Sequence, residues 1–334
     1  MCIRDSLAGG YFAVIWLLKG DLDYFAKSLS LKHFNADSMC DFCECDRTGP
    51  VDLWPTNFLP GALWKRRLVS CSQWRARNPE MHAIFAAFEF LSNANIAPDE
   101  LHIIHLGTSM YMLGSVLWLL VYTKLKESPE SNLRRVFAMI QGFYKEHGTS
   151  CQYSNLALSF FTDPQNPRKH YPKLKGRGGE VKHLGPALLH VWQQFRGDAE
   201  EDGWVETALR AQCRIMESID MGASNLFMGS QQVSDLVAAI DEFHRFYNRL
   251  ARRSDSRGEL LFNIASKFHW LYHFGQSARF LHPNRGACWI DEDFVGQIKT
   301  VAAKCSSSTK LHAIPAKVLR KHAFGLHILH SLPP

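Results

Sequence analysis

No apolar run in this 334-residue chain reaches the roughly 20 residues that a membrane-spanning helix needs. The longest, "MYMLGSVLWLLVY" at residues 110–122, extends backward only by taking in His102, His105, Thr108 and Ser109. A buried core helix is therefore expected, and no membrane partner. Repeats of 20–50 residues are absent, which excludes a solenoid or propeller. No low-complexity stretch exceeds the three serines at 306–308, and 46% hydrophobic residues with 12% aromatics exclude wholesale disorder. A phosphate-binding glycine loop, a dinucleotide fingerprint and a nucleophile-elbow serine are all lacking, so the common nucleotide-dependent and serine-hydrolase classes find no support. Cysteine is sparse and, apart from one cluster, irregularly spaced, which argues against a disulfide framework and for a reducing compartment. Charge is nearly balanced: a net +6 permits a polyanionic partner without demanding one.

What is present begins with an oddity. The first six residues, "MCIRDS", match the translation of ATG-TGT-ATA-AGA-GAC-AG, a transposon end used in sequencing libraries. They are expected to be foreign and are excluded from fold reasoning, Cys2 included. The reading frame is then expected to open inside a gene. Residues 11–18, "YFAVIWLL", read as a short, fully buried strand. "DLDYFAKSLSL" follows with Leu22, Phe25 and Leu29 at helical spacing and Asp21 placed to cap it. Residues 40–64 read as loop, broken by Gly49, Pro50, Pro55, Pro60 and Gly61. Helical periodicity returns at "MHAIFAAFEFLSNAN", and again after Pro98 toward Lys126. It then persists through "ESNLRRVFAMIQGFYKEHG", "GGEVKHLGPALLHVWQQF", "WVETALRAQCRIMESIDMG", "QQVSDLVAAIDEFHRFYNRLARR" and "GELLFNIASKFHWLYHFGQSARFL". Two more helices are expected around "EDFVGQIKTVAAKC" and "PAKVLRKHAFGLHILHSL". The body is helical, with little strand.

Two kinds of residue carry chemistry. Cys40 and Cys43 form C-x2-C, with Cys45 one residue further; this spacing aims two thiolates at one tetrahedral ion but supplies half a site. "FHWLYH" places His269 and His273 one helical turn apart on one face, as helical histidine ligands are, and a closed Cys2His2 zinc site would result. His102 and His105 are rival ligands, and two buried thiols of purely apolar role are the plain alternative. Among carboxylates, Asp21 stands just past the first strand and Glu292 at a helix start between Asp291 and Asp293. Acidic first turns also complement the helix dipole without any further role. Basic residues gather at 168–177, 245–257 and 316–322, where they are either solvated surface or phosphate contacts.

An Asp after a core strand, a helix, C-x2-C, a long helical stretch bearing D-x2-H, a helical histidine pair and then Glu: this order resembles the catalytic core of eukaryotic cut-and-paste DDE transposases, the CACTA-type and Transib elements and V(D)J recombinase among them. Asp21 precedes Cys40 by the same interval, 19 residues, that separates His273 from Glu292. The resemblance implies a mainly α chain with a small β part: a partial RNase H-like fold lacking its first strands, interrupted by a helical insertion and braced by zinc. It implies Asp21 and Glu292 as the second and third catalytic carboxylates on Mg²⁺, with Asp23 competing for the first of these roles and Glu180 for the second. It implies Cys40, Cys43, His269 and His273 as zinc ligands, and Asp99 with His102 as the D-x2-H element. The organisation expected is an artefactual 1–6, a partial core at 7–60 carrying the knuckle, an insertion at 61–265, and C-terminal helices at 266–334. DNA is the implied partner, with phosphate contacts from Arg168, Lys169, Lys173, Lys175 and Arg177. A nuclear location follows from the same reading, and homo-oligomerisation is left open. No first Asp is seen, so the fragment alone is expected to be inactive.

A non-catalytic, zinc-stabilised helical scaffold is the competing class, with Asp21 and Glu292 as helix caps only. A metal-dependent hydrolase built on His102 and His105 is a third. The basic segments generate one direct expectation: the chain binds duplex DNA at low salt, and log affinity falls linearly with log salt in a fluorescence-anisotropy titration. A flat salt response, or no binding at low salt, would leave these segments as solvated surface.

Overall fold

In a computed structural model of the chain, residues 15–306 and 311–331 are described, with side chains for 15–305 and 312–323. They fall into two compact units, one ending at Ala287 and the other beginning at Cys288. The protein is mainly helical with one small sheet.

The first unit opens with β1 (Leu18–Lys19), which pairs in parallel with β2 (Ile96–Ala97), Leu18 opposite Ile96 and Lys19 opposite Ala97. Residues 11–14 of the expected opening strand lie outside the described residues. The remainder is less buried than anticipated, Trp16 being half exposed. Helix α1 (Leu22–Leu29) begins where Asp21 accepts a hydrogen bond from Tyr24 N at 2.6 Å, and it buries Leu22, Phe25 and Leu29 as the spacing requires. It ends at Ser30 in the left-handed conformation.

Between the strands lie α2 (Cys71–Arg77) and α3 (Ala83–Ala87), short helices packed around Trp74, Phe85 and Leu91. The helix expected across 81–95 is cut to one turn. The Arg75 guanidinium takes the carbonyls of Phe85 (3.0 Å), Phe88 (3.0 Å) and Leu91 (2.6 Å), which a continuous helix would have used itself. A cation bonded to three carbonyls outweighs the local helical periodicity here.

After β2 the chain enters a long apolar rod, Leu101–Lys124, of 24 residues, whose centre is α4 (Ser109–Leu119). It is long and apolar enough to cross a bilayer, but 78% of its apolar window is buried within the protein. Helices α5 (Pro129–Glu146), α6 (Gly178–Phe195) and α7 (Glu200–Asp220) pack around it. A helix apolar on every side belongs in such a core. The rod is interrupted at Leu106 and Gly107, where the backbone leaves helical geometry. Helix α8 (Ser230–Ser256) lies along α7 and packs on α9 (Ser266–Ser277), which presents Phe268, His269, Trp270 and His273 inward. In the second unit, α10 (Trp289–Ser306) packs on α11 (Ile314–Ser331), with the Phe294 and His322 rings edge-on at 5.2 Å.

The segment 168–177 is held against α4 by the buried Leu174, by Lys173 over the Tyr111 ring (5.4 Å), and by close backbone contact. Leu174 N donates to Met110 O at 2.9 Å, and a Cβ on Gly114 would lie 2.9 Å from Leu174 N and 3.1 Å from Lys173 N. Backbone cannot yield there as a flexible side chain would. Gly114→Ala is therefore expected to destabilise by about 1–3 kcal/mol, read as a lowered denaturation midpoint at unchanged m-value. An unchanged midpoint would mean the segment is free to lift from α4.

Candidate metal centre and carboxylate cavity

The knuckle is built before any ion is considered. Residues 42–44 run antiparallel to 67–69, with Glu44 N donating to Arg67 O (3.0 Å) and Val69 N to Phe42 O (2.9 Å). Phe42 N also donates to Cys40 Sγ at 3.3 Å, the N–H···S contact that turns a thiolate toward a shared centre. Asp41 is buried beside it, where Trp74 Nε1 donates to its carboxylate at 2.9 Å; desolvation pushes its pKa up.

Across the core, α9 brings in the imidazoles. Cys43 Sγ lies 3.3 Å from His269 Nε2, a contact between residues 226 apart in sequence. His273 Nε2 lies 3.2 Å from the same nitrogen. The ligand atoms of Cys40, Cys43, Cys45 and His269 all fall within 4.8 Å of one another, and all four residues are buried. Around a tetrahedral zinc, bonds of about 2.3 Å to sulfur and about 2.0 Å to nitrogen set ligand separations of about 3.3–3.8 Å. The Cys43–His269 contact falls at the short end of that range.

The outer contacts agree. His269 Nδ1 lies 3.3 Å from Pro55 O, so the proton sits on Nδ1, donates to that carbonyl and leaves the Nε2 lone pair aimed at the thiols. Trp64 packs on His269 with ring centroids 4.2 Å apart, and Phe42 stacks on His273 at 5.2 Å. Burial keeps His273 neutral and pushes the Cys40 and Cys43 thiols up. Hydrogen bonds from those two thiols hold the Cys45 sulfur down, so the cluster favours one shared thiolate. A divalent ion would displace the remaining thiol protons. The cluster of Cys40, Cys43, Cys45 and His269 can bind zinc; the expected Cys40, Cys43 and His269 are in it, while His273 stands beside it. What sequence reasoning passed over is Cys45, written in the C-x2-C-x-C spacing but not weighed as a ligand. His102 and His105 are not in the cluster: His105 faces the buried Glu100 carboxylate at 3.1 Å.

The carboxylates sort differently. Asp21 follows β1 by two residues and Asp99 follows β2 by two, so the register sets both at one level past the carboxyl ends of neighbouring parallel strands. Crevices at such strand ends are where ligands bind in parallel sheets. Asp99 is buried; it accepts from Leu101 N (3.1 Å) and His102 N (3.2 Å), and pairs with His102 Nδ1. Asp21 and His102 line one cavity of about 450 Å³, together with Asp23, Arg47, Lys173 and Lys267. Lys173 comes from the basic segment expected to meet phosphate. Lys267 was not anticipated: its Nζ donates to Leu106 O at 2.7 Å, at the carbonyl freed by the break at Gly107, and burial lowers its pKa to about 8. Asp23 is paired with Lys27 at 2.7 Å.

Arg168, Lys169, Lys173, Lys175 and Arg177 are all exposed, while Pro172 and Leu174 between them turn inward. Glu180 accepts from Arg177 N at 2.8 Å and caps α6. Glu292 stands in the first turn of α10, in the second unit.

Comparison with protein-family models, curated proteins and solved structures returned no match.

Removing metal tests the centre. Cys43→Ser and Cys45→Ser are each expected to lower bound zinc below one per chain by elemental analysis and to drop the melting temperature, because metal binding contributes directly to folding. A Cys45→Ser protein that retains full zinc and full stability would assign the fourth position to His273 instead.

Proposed function

We propose that the chain is part of the catalytic core of a cut-and-paste DDE-type DNA transposase, or of a domesticated derivative. Its complete form would cleave and join DNA strands by two-metal phosphoryl transfer. One observation carries this reading: a C-x2-C knuckle just after the first described strand meets a helical histidine pair more than two hundred residues later. That meeting resembles the zinc brace of those families and supports the reading; it is reached by packing and not by sequence proximity. The parallel β1–β2 pair with Asp21 past its carboxyl end supports an α/β layer of RNase H-like kind.

In this reading Asp21 and Glu292 are metal-holding carboxylates. Mg²⁺, when bound, supplies water activation and stabilisation of the leaving oxygen. The residues of the cavity do the remaining work. Lys173 and Lys267 offer positive charge to a phosphate entering beside Asp21, and the Asp99–His102 pair fixes one wall. The segment 168–177 grips backbone without reading sequence. The first carboxylate of the trio is not identified in this chain, so the chain alone would be inactive. DNA as substrate implies a nuclear place of action.

The scaffold reading draws on one observation, that the Asp21 carboxylate already caps α1. Iron-directed cleavage separates the two. Fe²⁺ substituted for Mg²⁺, with ascorbate and peroxide, is expected to cut the backbone beside Asp21 and beside Glu292. The Asp21→Asn protein should lose the first cut while keeping its zinc. An uncut Asp21 neighbourhood would leave that residue a helix cap and the protein a scaffold.

A further inference from the structure

A second basic surface lies apart from the Asp21 cavity. Helix α8, the 58–66 loop and Tyr272 of α9 enclose a groove of about 770 Å³. Its rim carries Arg66, Arg245, Arg249 and Arg252, all exposed. The two acids of the groove are already occupied: Asp241 pairs with Lys65 at 3.4 Å, and Glu242 pairs with Arg214. None of the four arginines has a carboxylate partner among the described residues. Four unneutralised guanidinium groups on one groove repel one another, and a polyanion relieves that repulsion.

The spacing narrows the polyanion. Arg245, Arg249 and Arg252 share one face of α8 and span seven residues, about 10.5 Å of helix. That length covers about three phosphates of one DNA strand, at about 3.4 Å of axis each. Of the two aromatics that line the groove, Phe58 is buried and stacked on His244, and Tyr272 carries Lys65 over its ring at 5.1 Å, so the described lining offers no row of open rings for stacking unpaired bases. We propose that this groove binds the sugar–phosphate backbone of double-stranded DNA, as a second contact surface beside the 168–177 segment.

The groove depends on the metal centre for its shape. Its loop wall is tied to α8 and α9 by Asn248 Nδ2 to Thr56 O (3.2 Å), by the Lys65–Asp241 pair, and by His269 Nδ1 to Pro55 O (3.3 Å). The last of these tethers belongs to a cluster member.

The inference borrows from the transposase reading only its choice of polyanion; the arginine geometry stands without the carboxylates. The test is an anisotropy titration of the zinc-loaded chain with a labelled duplex and with the matching single strand, from about 50 to about 200 mM salt. R245Q/R249Q/R252Q is expected to bind duplex at least about 10-fold more weakly at the low-salt end, with a log–log salt slope shallower by about 2.7. R66Q, on the opposite wall, should lose affinity in the same direction. R245K/R249K/R252K should retain most of it, which separates charge from folding. R245Q/R249Q/R252Q should keep the iron cleavage beside Asp21, which separates failure of the groove from failure of the carboxylate reading. Wild-type affinity and slope in R245Q/R249Q/R252Q overturn the groove but leave the carboxylate reading intact. Tighter binding to the single strand than to the duplex also overturns it.

Discussion

The meeting of Cys43 with His269 is the constraint on which the first unit depends. Loop length is a small part of its cost, since each doubling of a flexible loop adds only about 0.6 kcal/mol. Desolvation is the large part. Three thiols and two imidazoles are withdrawn from water at one point, and burying polar groups without full compensation costs several kcal/mol. Hydrogen bonds among the sulfurs and from Phe42 N offset some of this, and a metal ion would offset far more. Because the cluster joins α9 to the loop after α1, it also fixes the 46–66 segment between them. Trp64 is fully buried against His269 at this seam.

From that fixed seam the cavity at Asp21 follows. Once α9 is held, Ser266 and Lys267 at its start lie against the rod after β2, and Lys267 reaches the carbonyl left open at Leu106. A Cβ at Gly107 would stand 2.8 Å from the Lys267 side chain, so the break in the rod and the lysine fit as a pair. The result places a partly buried ammonium near two carboxylates that hang from adjacent parallel strands. Burial lowers the lysine's affinity for its proton, and Asp21 and Asp99 partly restore it. An entering phosphate would strengthen that restoration.

Helices of high local consistency were legible in the sequence. Helix α5 announces itself with Ser128 as cap and Pro129 at its first position, and α8 with an unbroken apolar stripe. The C-x2-C and the histidine pair were legible because metal ligation imposes spacing. Three things were not. The strand at Ile96 and Ala97 is two residues long, too short to show alternation, and exists only because β1 is beside it. The shortened helix at Ala83–Ala87 is decided by Arg75, whose reach to three carbonyls leaves no periodic trace. Lys267 reads as an ordinary surface lysine until the break at Gly107 supplies the carbonyl it bonds. Each miss is a tertiary contact overriding local pattern.

The fourth ligand position is finally a question of geometry as well as charge. Three thiolates and one neutral imidazole on a divalent zinc leave a net −1 in a buried site; two thiolates and two imidazoles leave none. An isolated buried charge is costly unless something opposes it. Lys32 does stand at the knuckle, its Nζ donating to Cys40 O at 2.9 Å and to Ser38 Oγ at 3.0 Å. That ammonium lies beside the ligand-bearing turn, and Asp41, the nearby acid, is itself pushed toward its neutral form by burial. The geometry, with four ligand atoms within 4.8 Å of one another, favours the Cys40, Cys43, Cys45 and His269 set, and Lys32 is placed to offset part of its charge. His273 is then left to pack beside the cluster, filling the space between Phe42 and Trp64. Such a sulfur-rich set selects a soft ion, and it separates this centre chemically from the cavity at Asp21, where carboxylates and basic side chains are mixed.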